Sequence, residues 1–227
     1  MRVQTSSRGL PGPSGRRAAH VRSAAGLARI LDPDVNAVLW ARERPASLAD
    51  AAATSVESGD RQEAEVWLDR PTTLEPLVEP VRDPSLRDAL LEDLTMLVSL
   101  YAAILDRKHV WVQLGVVTHD MCRKLHTDNV PVRLLCTYDG PGTDWVPDED
   151  VRRENLGRVD VDLDEANRSV LRRPDAIRRT RPGEVLLLKG EAWPGNAGLG
   201  AVHRSPPIEG TGARRLLLKV DTAPCGC

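Results

Sequence analysis

Apolar residues recur along this chain with two different periods, and the period changes near His109. Over residues 85–105 the apolar positions Leu86, Leu90, Leu94, Leu97, Tyr101 and Ile104 fall three or four apart. That spacing puts them on one stripe of an α-helix. A stripe of this kind is expected to pack flat against a sheet. Upstream, residues 18–31 read as a helix on Val21, Ala25, Leu27, Ala28 and Leu31, stopped by Asp32-Pro33, because the residue before a proline is steered out of the helical region. Residues 35–40 form a short apolar run that suits an edge strand. Ser47 is a good N-cap for an alanine-rich helix over residues 48–56. Residues 64–68 fit strand or helix equally. Four prolines between Pro71 and Pro84 mark a linking stretch.

From residue 109 the period is two. Val110, Val112, Leu114 and Val116 alternate with Trp111, Gln113, Gly115 and Val117, the pattern of a strand. Further strands are predicted over 132–138, closed by the turn Asp139-Gly140-Pro141-Gly142, and over 158–163, where Val159, Val161 and Leu163 alternate with charged residues. Others follow over 184–189, 201–203 and 214–221. A helix-rich first half followed by short strands with turn signals predicts an α+β fold, with an N-terminal helical layer packed on a β-sandwich or jelly roll. The expected organisation is a disordered leader (1–17) and a single domain (18–223) built from a helix-rich support (18–106) and a β core (107–223). A Cys-Gly-Cys tail (224–227) follows.

Composition narrows this picture. The chain of 227 residues is 41% hydrophobic but has no Phe and two Tyr, so its core must be aliphatic. Residues 1–17 are rich in Arg, Ser, Gly and Pro and carry no acid, a composition shared with transit peptides and too polar to offset its ordering entropy. A net charge of -2 gives no general attraction to nucleic acid or to an anionic membrane. No apolar run approaches the roughly 18 residues of a spanning helix, and the N-terminal stretch lacks a secretory apolar core. Four unevenly spaced cysteines do not make a disulfide framework. A cytoplasmic protein with reduced thiols is expected, acting on a small molecule without nucleic-acid or membrane partners. Cys225 and Cys227 could bind a soft metal, but their terminal position fits a frayed tail. The arginine run from Arg172 to Arg181, interrupted by Pro174 and Asp175, reads as a solvated loop.

The candidate chemistry lies in the stretch from Leu125 to Trp145, LHTDNVPVRLLCTYDGPGTDW. On an extended chain His126 and Asp128 share a face, with Thr127 turned away. His203, between two apolar strands downstream, supplies a third donor. Two imidazoles and one carboxylate on one side of a metal leave the opposite positions open, as in non-haem Fe(II) oxygenases. His20, His109 and His119 have no such company and read as structural or solvated.

Through His126-Thr127-Asp128, the later His203 and a basic residue on the last strand, the chain resembles the Fe(II)/2-oxoglutarate dioxygenase superfamily. It resembles more closely a bacterial domain-of-unknown-function family, through LHTDNVPVRLLCTYDGPGTDW, GEVLLLKG and AVHRSPP, which brings no established activity. The superfamily resemblance implies a double-stranded β-helix (jelly roll, cupin-like), Fe(II) on His126, Asp128 and His203, and 2-oxoglutarate and O2 as co-substrates. The distal carboxylate of 2-oxoglutarate needs a cation, and an arginine fork suits it. Of Arg204, Arg214 and Arg215, Arg214 is in phase with Leu216, Leu218 and Val220 and is expected to point inward. Arg215, in phase with Lys219 and Asp221, is expected to point outward. Tyr138 is a further candidate for that carboxylate. Arg133, Trp145 and Trp193 are candidates for a substrate pocket, with surface ion pairing for Arg133 and rim packing for the tryptophans as the alternatives. The competing readings are a cupin-like zinc or iron protein serving metal homeostasis or hydrolysis without oxidative chemistry, and a metal-free binding module.

Overall fold

The computed structural model describes residues 15–48, 62–67 and 74–222. Among these residues the strands are β1 (Arg17–Val21), β2 (Val35–Trp40), β3 (Gln62–Trp67), β4 (His109–Val117), β5 (Val132–Asp139), β6 (Asp144–Val146), β7 (Arg178–Arg179), β8 (Val185–Lys189), β9 (Val202–Arg204) and β10 (Arg215–Asp221). The α-helices are α1 (Glu75–Val78), α2 (Pro84–Ile104) and α3 (Leu163–Val170). A large sheet has the order β1-β2-β8-β5-β10-β4-β3 and a small one the order β7-β6-β9. From β4 onward the chain passes back and forth between them. β4, β5, β8 and β10 lie side by side in the large sheet, and β6, β7 and β9 lie in the small one. This winding is that of a double-stranded β-helix.

Strand alternation divides the interior into two compartments. Leu134, Cys136, Val185, Leu187, Leu216, Leu218 and Val220 face one way and cluster with Leu86, Leu90, Leu94, Leu97 and Tyr101 of α2. The residues between them in sequence, Leu135, Leu186 and Leu188, face the other way and cluster with Trp145 of the small sheet and with Ala201. The central strands β5, β8 and β10 are therefore covered on both sides. α2 begins as its sequence directs. Asp83 accepts a hydrogen bond from Leu86 N at 2.9 Å, and Pro84 takes the first helical position, where its missing N–H costs nothing.

Several expectations need correction. Residues 18–31 are not one helix. Arg17–Val21 is a strand parallel to β2, and residues Ala24–Leu31 follow as a 3-10 helix. Ala19 and Val21 are buried around an exposed His20, which is period two, while buried Leu27 and Ile30 are three apart, which matches the 3-10 repeat. β2 is not an edge strand, because it lies between β1 and β8. The ambiguous segment at 64–68 belongs to strand β3. Residues 158–163 form no strand. Val159 is 91% exposed, and Asp162 instead caps α3 by accepting from Glu165 N at 2.8 Å. Among the described residues the first half of the chain thus contributes three strands and one long helix, where a helical layer was expected. The helix expected at 48–56 lies outside the described residues except for Leu48, which ends a short 3-10 turn. The leader up to residue 14 and the Cys-Gly-Cys tail also lie outside them. Among the described residues no helix is long and apolar enough to cross a membrane.

The packing of α2 makes a stability prediction. Leu94 is fully buried, so Leu94→Ala is expected to lower the unfolding free energy by about 2–5 kcal/mol in denaturant melts. Val159→Ala, at an exposed site, should stay within roughly 0.5 kcal/mol of the parent.

Candidate metal centre and adjoining cavity

His126 follows β4 in a loop, and His203 is the middle residue of β9. The two backbones bond to each other, His126 N to His203 O and His203 N to His126 O, both at 3.0 Å. Residues paired in this way lie directly opposite one another, and the two imidazole centroids are 4.5 Å apart. Asp128, two positions on, turns its carboxylate to the same place. Its Oδ1 lies 3.6 Å from His126 Nε2 and its Oδ2 lies 3.2 Å from His203 Nε2. The loop that carries Asp128 is held against the end of β8, where Glu191 N donates to Asp128 O at 2.8 Å and Gly190 N to Pro131 O at 2.9 Å. A Cβ on Gly190 would collide with the carbonyls of Val130 and Asp128, so this approach requires glycine.

The donor atoms suit a metal ion. One ligand atom from each of His126, Asp128 and His203 lies within 4.8 Å of the others, and together these residues could hold one cation. Nδ1 of His126 is 2.8 Å from Lys124 O, and Nδ1 of His203 is 3.3 Å from Ala201 O. A carbonyl only accepts, so these contacts assign the ring proton to Nδ1 and leave a lone pair on each Nε2. Asp128 Oδ2 is buried and accepts no hydrogen bond. Two imidazole lone pairs and a carboxylate oxygen thus converge with nothing but a cation to satisfy them. Two nitrogens and one oxygen fit Fe(II) or Zn(II).

Protons compete for the same place. Burial works against a charged His126 ring, but hydrogen bonds to Asp128 and Lys124 and the Asp128 charge outweigh it and hold the pKa above its ordinary 6.5. Burial likewise opposes the Asp128 carboxylate, yet His203, His126 and Arg133 hold its pKa far below the ordinary range.

A cavity adjoins the centre. Its lining brings His126 and His203 together with Arg133, Arg204 and Arg215. Arg133 is not on the surface. Its Nη1 meets Asp128 Oδ1 at 2.7 Å, and its Nε and Nη2 meet the Asp221 carboxylate at 2.9 Å each. Arg204 donates to Asp144 Oδ2 at 3.2 Å. Arg215 was expected to face outward, but it is 1% exposed and lines the cavity, while Arg214 is half-buried and does not. The apolar phase Leu216, Leu218, Val220 faces α2, so the alternate phase enters the space between the sheets. Arg215 bonds only to hydroxyls: Ser205 Oγ and Thr143 Oγ1 at 3.1 Å and Thr137 Oγ1 at 3.2 Å. Its Nε has no hydrogen-bond partner, and among the described residues no carboxylate pairs with it. Burial pushes its pKa down to about 10, against the pull of Asp144 and with the repulsion of Arg179.

Three other candidates lie elsewhere. Tyr138 faces α2, fully buried, and donates to Asp93 Oδ2 at 2.8 Å, so it cannot reach the cavity. Trp145 is core between the sheets, with its ring 6.0 Å from His20. Trp193 lies over Lys189 Nζ, 4.9 Å from the ring centroid, beside a different cavity that includes Leu31 and Ile104. Sequence reasoning weighed Arg215 and set it aside as outward-facing, and it missed Thr137, Thr143, Ser205 and Lys219. For Arg215, Lys219 and Thr137 the signal is the polar phase of strands in the interior of a sheet; Thr143 and Ser205 lie outside the strands and gave no such signal.

Two outcomes follow for the metal. The His126→Ala, His203→Ala double variant should lose divalent-metal binding by calorimetry and by elemental analysis. The second concerns pH. Metal needs neutral His126, so affinity should rise as pH rises through the elevated His126 pKa. The metal-free protein should respond oppositely. A pKa raised by folding contributes stability that is complete below the unfolded value of about 6.5 and is lost as pH climbs through the folded value. Melting temperatures of metal-free and metal-loaded protein across the neutral range should therefore diverge with increasing pH.

No protein of curated function matches the chain in sequence. Solved structures do align with it. The dioxygenase for auxin oxidation from rice covers 93% of this chain and 84% of its own, at 13% identity and a TM-score of 0.47. The Arabidopsis thaliana dioxygenase for auxin oxidation 1, solved with 2-oxoglutarate, covers 93% and 94% at 10% identity and 0.43. The Fe(II)/(alpha)ketoglutarate-dependent dioxygenase TqaL covers 77% and 72% at 15% identity and 0.38. With identities and scores this low, a functional reading has to rest on this chain's own side chains. The profile of the family described as "Protein of unknown function (DUF1826)" matches residues 22–221, and the chain belongs to that family.

Proposed function

We propose that the protein is a non-haem Fe(II)- and 2-oxoglutarate-dependent oxygenase of the hydroxylase type, acting on a small molecule. One observation carries this reading: Arg215, a buried guanidinium with hydroxyl partners and no carboxylate partner among the described residues, lines the same cavity as His126 and His203. Burying an unanswered charge is costly, and the cost is removed when a ligand brings the opposite charge.

In this reading His126, Asp128 and His203 hold Fe(II). When bound, iron and 2-oxoglutarate supply the oxidising chemistry, in which O2 converts the co-substrate to succinate and CO2 and one oxygen atom enters the substrate. The chain's own residues bind, orient and exclude water. Arg215 grips the distal carboxylate of 2-oxoglutarate, and Thr137, Thr143 and Ser205 fix the guanidinium in advance. Arg133 occupies Asp128 Oδ1 and so directs Oδ2 to the metal. Leu135, Leu217 and Met121 line the cavity and limit water.

Anaerobic addition of Fe(II) and 2-oxoglutarate to metal-free protein should give a visible charge-transfer band. Arg215→Ala should weaken 2-oxoglutarate binding by about a hundredfold or more while metal content stays the same. Arg215→Lys should recover only part, since an ammonium lacks the fork. Arg214→Ala is the control and should bind 2-oxoglutarate as the parent does. A parent protein that binds metal but not 2-oxoglutarate would return the assignment to a cupin-like zinc or iron protein of metal homeostasis or hydrolysis.

A further inference from the structure

The ring of His126 is oriented by a carbonyl, and that carbonyl has its own support. Nδ1 of His126 donates to Lys124 O at 2.8 Å. The peptide that carries this carbonyl also carries the N–H of Leu125, and in a planar trans peptide the two groups point in opposite directions. One side therefore meets the imidazole. On the other side Leu125 N donates to Asn167 Oδ1 at 2.7 Å, a buried hydrogen bond. Asn167 Nδ2 donates in turn to Arg123 O at 3.1 Å. One side-chain amide thus grips the backbone before and after Lys124.

Main-chain pairing does not fix this peptide. His126 and His203 exchange both backbone hydrogen bonds, so continued antiparallel pairing would set residue 124 opposite residue 205 and give Lys124 O to Ser205 N. Ser205 N donates to Cys122 O at 2.8 Å instead. The Lys124 carbonyl is left for the ring proton, and its peptide is held from α3. Asparagine is a poor helix former, so helix propensity does not account for Asn167. It is 6% exposed, and both hydrogen bonds of its amide go to this segment. Its helix is tied down at both ends. Asp162 caps the start, and at the far end Arg152 N donates to Val170 O at 2.7 Å. Leu125 packs with Val170 in one apolar cluster. We infer that Asn167 is a positioning residue for His126: by holding the Leu125 N–H it sets the plane of the peptide whose carbonyl aims the imidazole. A peptide engaged at its N–H is also more polarised, which makes its carbonyl a better acceptor and the far ring nitrogen a better donor to a metal. The inference rests on the reading of His126, Asp128 and His203 as metal ligands.

Cobalt(II) is a suitable probe, because it is paramagnetic and shifts the ring protons of any histidine bound to it. The cobalt-loaded parent protein should give two exchangeable shifted Nδ1–H signals by proton NMR, one for each histidine. Asn167→Ala should weaken cobalt(II) binding in calorimetry by about tenfold to a hundredfold. It should also displace or broaden one of the two signals while the other keeps its position. Asn167→Ser, whose hydroxyl is too short to reach Leu125 N, repeats the test should Asn167→Ala fail to fold. Asn167→Asp keeps an acceptor for Leu125 N and should bind cobalt(II) more tightly than Asn167→Ala. Val170→Ala, which opens a cavity under the same helix, should lower the melting temperature and leave cobalt(II) affinity and both signals as in the parent. Unchanged affinity and signals in Asn167→Ala, equal displacement of both signals, no gain in Asn167→Asp, or an equal loss of affinity in Val170→Ala would overturn the inference and leave the metal centre standing. A parent protein that binds no cobalt(II) removes the inference together with the metal centre.

Discussion

The backbone bridge between His126 and His203 is the contact on which the centre depends. Two hydrogen bonds, each 3.0 Å, join a loop after β4 to the middle of β9 and set two imidazoles side by side. Neither element could place its ring alone. The loop has no ladder of its own, and β9 is three residues long. Once the bridge forms, Asp128 arrives two residues later on the same face, and Gly190 lets its loop close on the end of β8. The ligand geometry is therefore a consequence of main-chain pairing, which is stiffer than side-chain packing and suits a site that must hold its shape before a ligand enters.

The second constraint is that the central strands of the large sheet are buried on both faces. One face takes α2 and is mostly aliphatic, its polar groups being Tyr101, Cys136 and the group formed by Arg42, Asp93 and Tyr138. The other faces the small sheet and carries charge. Along β10 the side chains that avoid the helix are Arg215, Leu217, Lys219 and Asp221, and along β5 they are Arg133, Leu135 and Thr137. Charges inside a protein need partners. At the end of the cavity near His126 and His203, Arg133 is matched with two carboxylates. At the other end Arg215 has only hydroxyls, which orient a guanidinium without neutralising it. This asymmetry separates the groups that maintain the site from the groups left for a ligand.

Much of this was legible in the sequence. Helical spacing fixed α2 and its buried stripe, alternation located β4, and apolar runs bounded by turns located β5, β8 and β10. The spacing of His126 and Asp128 sufficed to put both donors on one face, with His203 as their partner. Local rules carried the helix, the strands and the His126/Asp128 pair, because each depends on residues within a few positions of one another; His203, far along the chain, was read from its setting between two apolar strands. Period alone was also enough, in retrospect, to separate β1 from the 3-10 turn that follows it, since alternation at Ala19 and Val21 gives way to a spacing of three at Leu27 and Ile30.

What the tertiary structure decided was direction. A strand's two phases are distinguishable in sequence, but which one meets solvent depends on what covers each face. On β10 the apolar phase suggested the interior and the polar phase the surface, whereas both are inside, and Arg215 rather than Arg214 reaches the cavity. The same cause moved Arg133 from an expected surface pair to a buried one, turned Tyr138 toward α2, and put Trp145 into the core. Residue types and their periods come from the chain itself. The inside of a sheet with two covers is defined only when helix α2 and the small sheet have closed over it.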